Sequence, residues 1–270
     1  TGAERIEREA PDVRVIRAAG NPGFAVGCNA GMAVARGRWV LLLNPDTRIL
    51  DRAVDRCLDF LASPAGAGVA MLGCEHVEEN GSLQPSSFPK VLWPNLLGSL
   101  GNNVLLGPLV RVLRPDLLEA RSVEWQRRLH SRTHDTDALQ GSFLIVDREL
   151  VAETGGLDPD FFLYFEELDW CRRVSARGGR IVYYRDARIV HATRRRYDDP
   201  RTERQAYLSE ALFVLKRSGR LACALQILLR HLNVVLGLMA LPLMSATQRE
   251  AMRKHARLLG FARRHWLRPL

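Results

Sequence analysis

An unbroken apolar run, "WVLLL" at 39–43, is followed along this chain by the apolar strand "GVAMLGCEHV", by "ALQGSFLIVDRELVAETGG", which returns to strand and then helix, and by further strand in "GRIVYYRDARIVHATRRR". The run 39–43 lacks the polar alternation of a strand wetted on one face, so it reads as a strand covered on both faces, and the alternation of strand and helix argues for a mostly parallel α/β sheet. Segments of helical spacing lie between them. "DRAVDRCLDFLAS" lines up Ala53, Val54, Cys57, Leu58 and Leu61, opens on Asp51 as its N-cap and stops before Pro64. Residues 2–9 read as a helix and "DVRVIRA" as a strand, while "GFAVGCNAGMAVARG" is a glycine-punctuated turn entering a helix that closes at Gly37. Residues 80 to 137, with Pro85, Pro89, Pro94, Pro108 and Pro115, read as an irregular excursion over the active face.

Open α/β sheets bind ligands at the carboxyl ends of their strands. Pro45 confines Asn44 to an extended conformation and offers no ladder donor, so the first apolar run ends at Asn44 and projects Asp46 into the crevice. An ordinary strand-to-turn junction would use the same residues. A second acidic group follows the aromatics Phe161, Phe162, Tyr164 and Phe165: Glu166, Glu167 and Asp169. Apolar walls raise the proton affinity of a carboxylate and suit one of these to general-base work. The following "LDWCRRVSARGG" reads as a helix capped by Gly178, which sets the acids at its first turn, where the helix dipole favours them in any case. His191 ends its strand, and one imidazole with one carboxylate such as Asp46 can hold manganese or magnesium beside phosphate oxygens.

The net charge of +9 is uneven. Residues 185–270 carry 18 Lys+Arg against 6 Asp+Glu, a balance of +12, and the rest of the chain is at −3. The C-terminal third therefore calls for an anionic partner. From about Gln205 the pattern is helical, and "LACALQILLRHLNVVLGLMALPLM" reaches the length of about 20 residues that spans a bilayer. Gln226, Arg230, His231 and Asn233 interrupt it, so an amphipathic segment lying on the membrane surface fits better, followed by the basic "REAMRKHARLLGFARRHW". A soluble helical hairpin or a homodimer through these helices is the alternative. Arg clusters among aliphatic neighbours favour lipid over nucleic acid, which calls for interleaved aromatics or a recognition helix. Five cysteines without a CxxC pair point to reduced thiols in a cytosolic setting. "NPGFAVGCNAG" lacks the G-x-G-x-x-G spacing of a dinucleotide-binding oxidoreductase.

Four motifs in order, "NPGFAVGCNAG", "LLLNPDT", "GSFLIVDRELVAETGGLDPDFFLYFEELDWCRR" and "DARIVH", resemble the inverting family-2 glycosyltransferases of the GT-A fold, near the rhamnosyltransferase-like members that build bacterial surface polysaccharides. The resemblance covers about residues 15–195. It implies a Rossmann-like mixed sheet as catalytic domain over 1–200 and a helical, basic extension over 201–270. It also implies a divalent cation on Asp46 and His191, and a donor pocket lined by Asn21, Gly23, Phe24, Gly27, Asn29, Asn44, Asp46 and Gly141. Glu167 matches the catalytic base, with Glu166 and Asp169 beside it. The implied partners are a nucleotide-sugar donor and a polyprenyl-linked or glycan acceptor, at the inner face of the cell membrane. Family members begin with a strand and an acidic nucleotide-binding element, which are expected upstream of Thr1.

Overall fold

The computed structural model describes residues 2–89, 123–192 and 200–246, with 249–250, 252–254, 256–257 and 260. Pro94, Pro108, Pro115 and the last basic residues, 261–270, lie outside the described residues. Among the described residues seven strands form one sheet: β1 (Trp39–Leu43), β2 (Thr47–Leu50), β3 (Val69–Val77), β4 (Leu83–Gln84), β5 (His134–Asp135), β6 (Phe143–Asp147) and β7 (Arg180–His191). The helices are α1 (Gly2–Glu9), α2 (Phe24–Val34), α3 (Ala53–Ala62), α4 (Val123–His130), α5 (Arg148–Thr154), α6 (Glu166–Ser175) and α7 (Pro200–Met239).

The main path through the sheet is β1-β6-β3-β7-β2, with β4 on β3 and β5 on β7. The mixed sheet is as expected, but the weight of parallel pairing is not: among the described strands only β3 and β7 pair in parallel. Antiparallel β6 lies between β1 and β3. Strands β1, β3 and β7 therefore run the same way, and one reversed strand converts their pairings to antiparallel. Apolar composition marks burial and carries no information about direction. The common direction brings the carboxyl ends of β1, β3 and β7 to one side, where the sequence motifs meet.

Two hydrophobic layers hold the sheet. On one face Met71, Leu144, Val146, Ile181 and Tyr183 pack with Met32, Leu150, Leu157, Trp170 and Val174 from α2, α5 and α6 and their connections. On the other, Leu72, Cys74, Phe143, Ile145, Val182 and Ile189 pack on Ala53, Cys57 and Leu61 of α3. The two-sided burial that the apolar runs implied is thus present.

Two local expectations are corrected. "DVRVIRA" forms no strand: it begins in a turn and a bend and continues without a ladder partner among the described strands, and Val13 and Ile16 are exposed. Asp51 does not cap α3; it and Arg52 take left-handed conformations and the helix begins at Ala53. The first apolar run ends before Asn44 as expected, and the chain re-enters the sheet at Thr47–Leu50 as β2, paired with β7.

Helix α7 is two helices that meet at Gly219, whose φ of 81° and ψ of 178° are open to glycine and strained for L side chains. The halves fold back on each other. Glu210 of the first is paired with Arg230 and accepts from Gln226 Nε2 (3.0 Å), and Arg230 lies over the Tyr207 ring. The arginine that looked costly mid-segment is neutralised inside this hairpin.

Candidate active site

The turn 44–46 is fixed from both sides. Asn44 N–H donates to Ser142 O (3.0 Å), Thr47 N–H and Oγ1 both donate to Asn44 O, and Ala192 N–H donates to Asp46 O (3.0 Å). Asp46 is thereby held at the end of β7, its carboxylate half exposed and 3.5 Å from His191 Nε2, while the His191 ring is buried. Gln84 Oε1 stands 2.9 Å from His191 Nδ1. A hydrogen bond donated by Nδ1–H to this amide oxygen would turn the Nε2 lone pair toward Asp46. A carboxylate and an imidazole lone pair facing each other suit a hard or borderline cation between them, so these residues fit the divalent ion that the motifs imply. Among the described residues no cluster of three or more His, Cys, Asp or Glu is placed to hold a metal, so further ligands would come from elsewhere.

Residues 140–142 join this pair to the acidic cluster. His76 Nδ1 lies 3.3 Å from both Gln140 Oε1 and Ser142 Oγ. Burial, and then the neighbouring His191, push His76 down to about 3, so it acts as a neutral hydrogen-bonding post. Gly141 sits against Glu167: a Cβ there would stand 3.4 Å from Glu167 Cβ. Glu167 follows Tyr164 and Phe165, both left-handed, which swing the chain into α6. Oε2 of Glu166 and of Glu167 is closed off from solvent. The charge of Glu166 adds to burial in pushing the Cys28 thiol of α2 up to about 11.

The remaining expected residues form the wall beside this cluster. Asn21 Oδ1 accepts from Gly23 N–H (3.2 Å), and Phe24 N–H donates to Phe162 O (2.7 Å). Gly23 has φ 93°, and a Cβ there would fall 2.5 Å from Phe162 O, so this contact requires glycine. The Asn29 amide pairs both ways with the Leu157 backbone, at 2.7 and 2.9 Å, which ties α2 to the segment leading into the acids. Gly27 is exposed on α2.

Asp169 is buried and doubly paired, to Arg173 (2.6 Å) and to Arg217 of α7 (2.9 Å). Arg217 also donates to Asp169 O, Ser209 Oγ donates to Leu163 O (2.7 Å), and the Phe213 ring lies 5.6 Å from Phe165. Lys216 binds Asp158 and Asp160. Residues 209, 213, 216 and 217 share one face of a helix, and that face grips the acidic segment along its length. Sequence reasoning missed this grip, and it missed His76, Gln84, Gln140 and Ser142. A signal existed for His76: two apolar strands, "CEHV" and "ARIVH", both finish near a histidine.

The profile of the glycosyltransferase-like family 2 matches residues 2–208. The chain belongs to this family. Its family-2 relatives include an N-acetylglucosaminyl-diphospho-decaprenol L-rhamnosyltransferase of Mycobacterium tuberculosis, 28% identical over 196 residues, which cover 67% of this chain and 59% of the relative. A low-salt glycan biosynthesis hexosyltransferase of Haloferax volcanii is 24% identical over 169 residues, 60% of this chain and 46% of that protein. The chain thus spans less than two thirds of the length of either relative. Among solved structures, a mannosyltransferase of Pyrobaculum calidifontis in complex with GDP-Man and Mn2+ superposes with a TM-score of 0.50 at 15% identity, over 94% of this chain and 66% of that one. This family-2 chain therefore has the GT-A fold.

Proposed function

We propose that this chain is the catalytic part of an inverting, metal-dependent glycosyltransferase that moves a sugar, with rhamnose the first candidate, from a nucleotide-diphosphate donor to a polyprenyl-linked or glycan acceptor. The observation that carries the reading is the placement of the Asp46–His191 pair and Glu167 on either side of residues 140–142. The mycobacterial rhamnosyltransferase relative supports the choice of sugar and of a diphospho-lipid acceptor.

The reaction is a single displacement. Glu167 takes the proton of the acceptor hydroxyl, whose oxygen bonds to the anomeric carbon as the bond from that carbon to the diphosphate breaks. The electron pair leaves with the nucleoside diphosphate. Asp46 and His191 would hold a divalent cation, which would supply positive charge where the leaving group becomes more negative. Asn21, Gly23, Phe24, Gly27, Asn29 and Asn44 form or support the donor wall, and Gly141 leaves room beside the base. Glu166 and Asp169 hold Glu167 in place, Asp169 through its two arginines.

Asp46→Ala and Glu167→Gln separate the two halves of this scheme. Asp46→Ala should weaken manganese-dependent nucleotide binding, measured by calorimetry. Glu167→Gln should leave that binding intact and lower transfer by about 100-fold or more. Normal metal-dependent binding by Asp46→Ala, or near-parental transfer by Glu167→Gln, would overturn the corresponding assignment.

A further inference from the structure

The hairpin of α7 buries polar groups beside an apolar cluster that includes Val234 and Ala240, and it leaves a row of apolar side chains outside. Gln226 and Asn233 are buried, and Arg230 is turned in on Glu210 and Tyr207. Leu221, Leu225, Leu228, Leu232, Val235 and Met239 are exposed by 86, 45, 63, 43, 53 and 72%. Their spacing alternates four and three residues, which places them in one stripe along the helix. A contiguous apolar stripe of this length on a folded protein marks a surface meant to be covered.

Charge identifies the cover. Residues 211–270 hold eleven Lys+Arg and a single acid, Glu250. Arg220, at the start of the stripe, and Arg249, Arg253 and Arg257 beyond its end are exposed. Two copies joined through the stripe would bring two such cationic segments together, which is unfavourable. A nucleic acid would meet the cations but leave the leucines in water. An anionic lipid surface satisfies both, with acyl chains against the stripe and headgroups at the arginines.

We propose that the outward face of the helix 220–239 is a docking surface for an anionic membrane, on which the protein lies peripherally without spanning. The proposal stands on the hairpin and is independent of the roles given to Asp46 and Glu167. The test is flotation of the full chain with vesicles of phosphatidylcholine alone or with added phosphatidylglycerol. The expected result is association that requires phosphatidylglycerol and weakens as salt rises, and that alkaline carbonate reverses. Leu225→Ser with Leu228→Ser and Leu232→Ser, all at exposed positions, should weaken it by about 100-fold or more with the circular dichroism spectrum unchanged. Several outcomes would overturn the proposal. They are no association, association equal in the triple variant, resistance to carbonate, and a dimer in solution that the triple variant dissolves while vesicles are ignored. Retention on an anionic polymer unaffected by the serine substitutions, without vesicle binding, would point to nucleic acid instead.

Discussion

A Cβ added to Gly141 would stand 3.4 Å from Glu167 Cβ, at van der Waals distance, so the space between Gly141 and Glu167 takes a methyl group and little more. Gly141→Ala should therefore fold normally and lose transfer activity by a few-fold, whereas Gly141→Val should displace Glu167 and lose about 10-fold or more. Single-turnover transfer at saturating donor reads the difference. Equal activity of the valine variant and the parent would separate Gly141 from the reacting groups.

Arg217→Met removes one of two cations from buried Asp169. Breaking a buried ion pair costs about 3–5 kcal/mol, and because Arg173 remains, a loss of about 2 kcal/mol is expected in urea denaturation. Turnover should fall while donor affinity holds, since the grip acts on the acidic segment and not on the turn 44–46. Arg217→Lys keeps the charge but ends short of the position of Nη2, which donates to both Asp169 O and Oδ1, so it should recover stability more than turnover.

His130 gives the fold a dependence on pH. Its Nε2 accepts from Ser86 N–H and Ser87 N–H, both at 3.2 Å, a role open only to the neutral ring. Burial is the main cause that holds its pKa below the ordinary 6.5. The unfolded chain takes up this proton as pH falls through 6.5 and the folded chain does not, so stability drops below that pH and levels off once the lower folded value is passed. Thermal melts at pH 7 and pH 5 should show this fall, and His130→Gln should flatten it.

The cysteines should resist alkylation in the folded state. Burial pushes Cys57 and Cys171 up to about 12 and Cys74 well above the ordinary thiol range, and Cys28 stands at about 11. All five thiols are free. Iodoacetamide at pH 8 should modify them within minutes only after denaturant is added, as mass spectrometry of intact protein would record.

Much of the fold was legible because each long strand is apolar on both faces, and Asp46 and Glu167 were legible because each follows such a run or an aromatic cluster. The reversal of β6 was not, since strand direction lives in the connections. Strand β2 escaped notice because "TRIL" is half exposed, and "DVRVIRA" misled because its alternation has no partner to meet. His76, Gln84 and Gln140 lie far apart in sequence and are joined only by register: β4 puts Gln84 opposite His76, and β7 brings His191 to it. The polar contacts within the hairpin were hidden for the same reason, as Arg230 finds its counter-charge 20 positions back at Glu210.

Gly219 decides whether those counter-charges are found within one molecule. Its conformation reverses the chain, and a side chain there would favour a straight rod of nearly 40 residues running from Pro200 to Met239. In the rod Glu210 could no longer reach its own Arg230, but it could reach that of a second copy lying alongside. One glycine thus stands between a self-contained hairpin and an exchange of helices between molecules, so position 219 is where a change in sequence would turn this chain into a domain-swapped dimer.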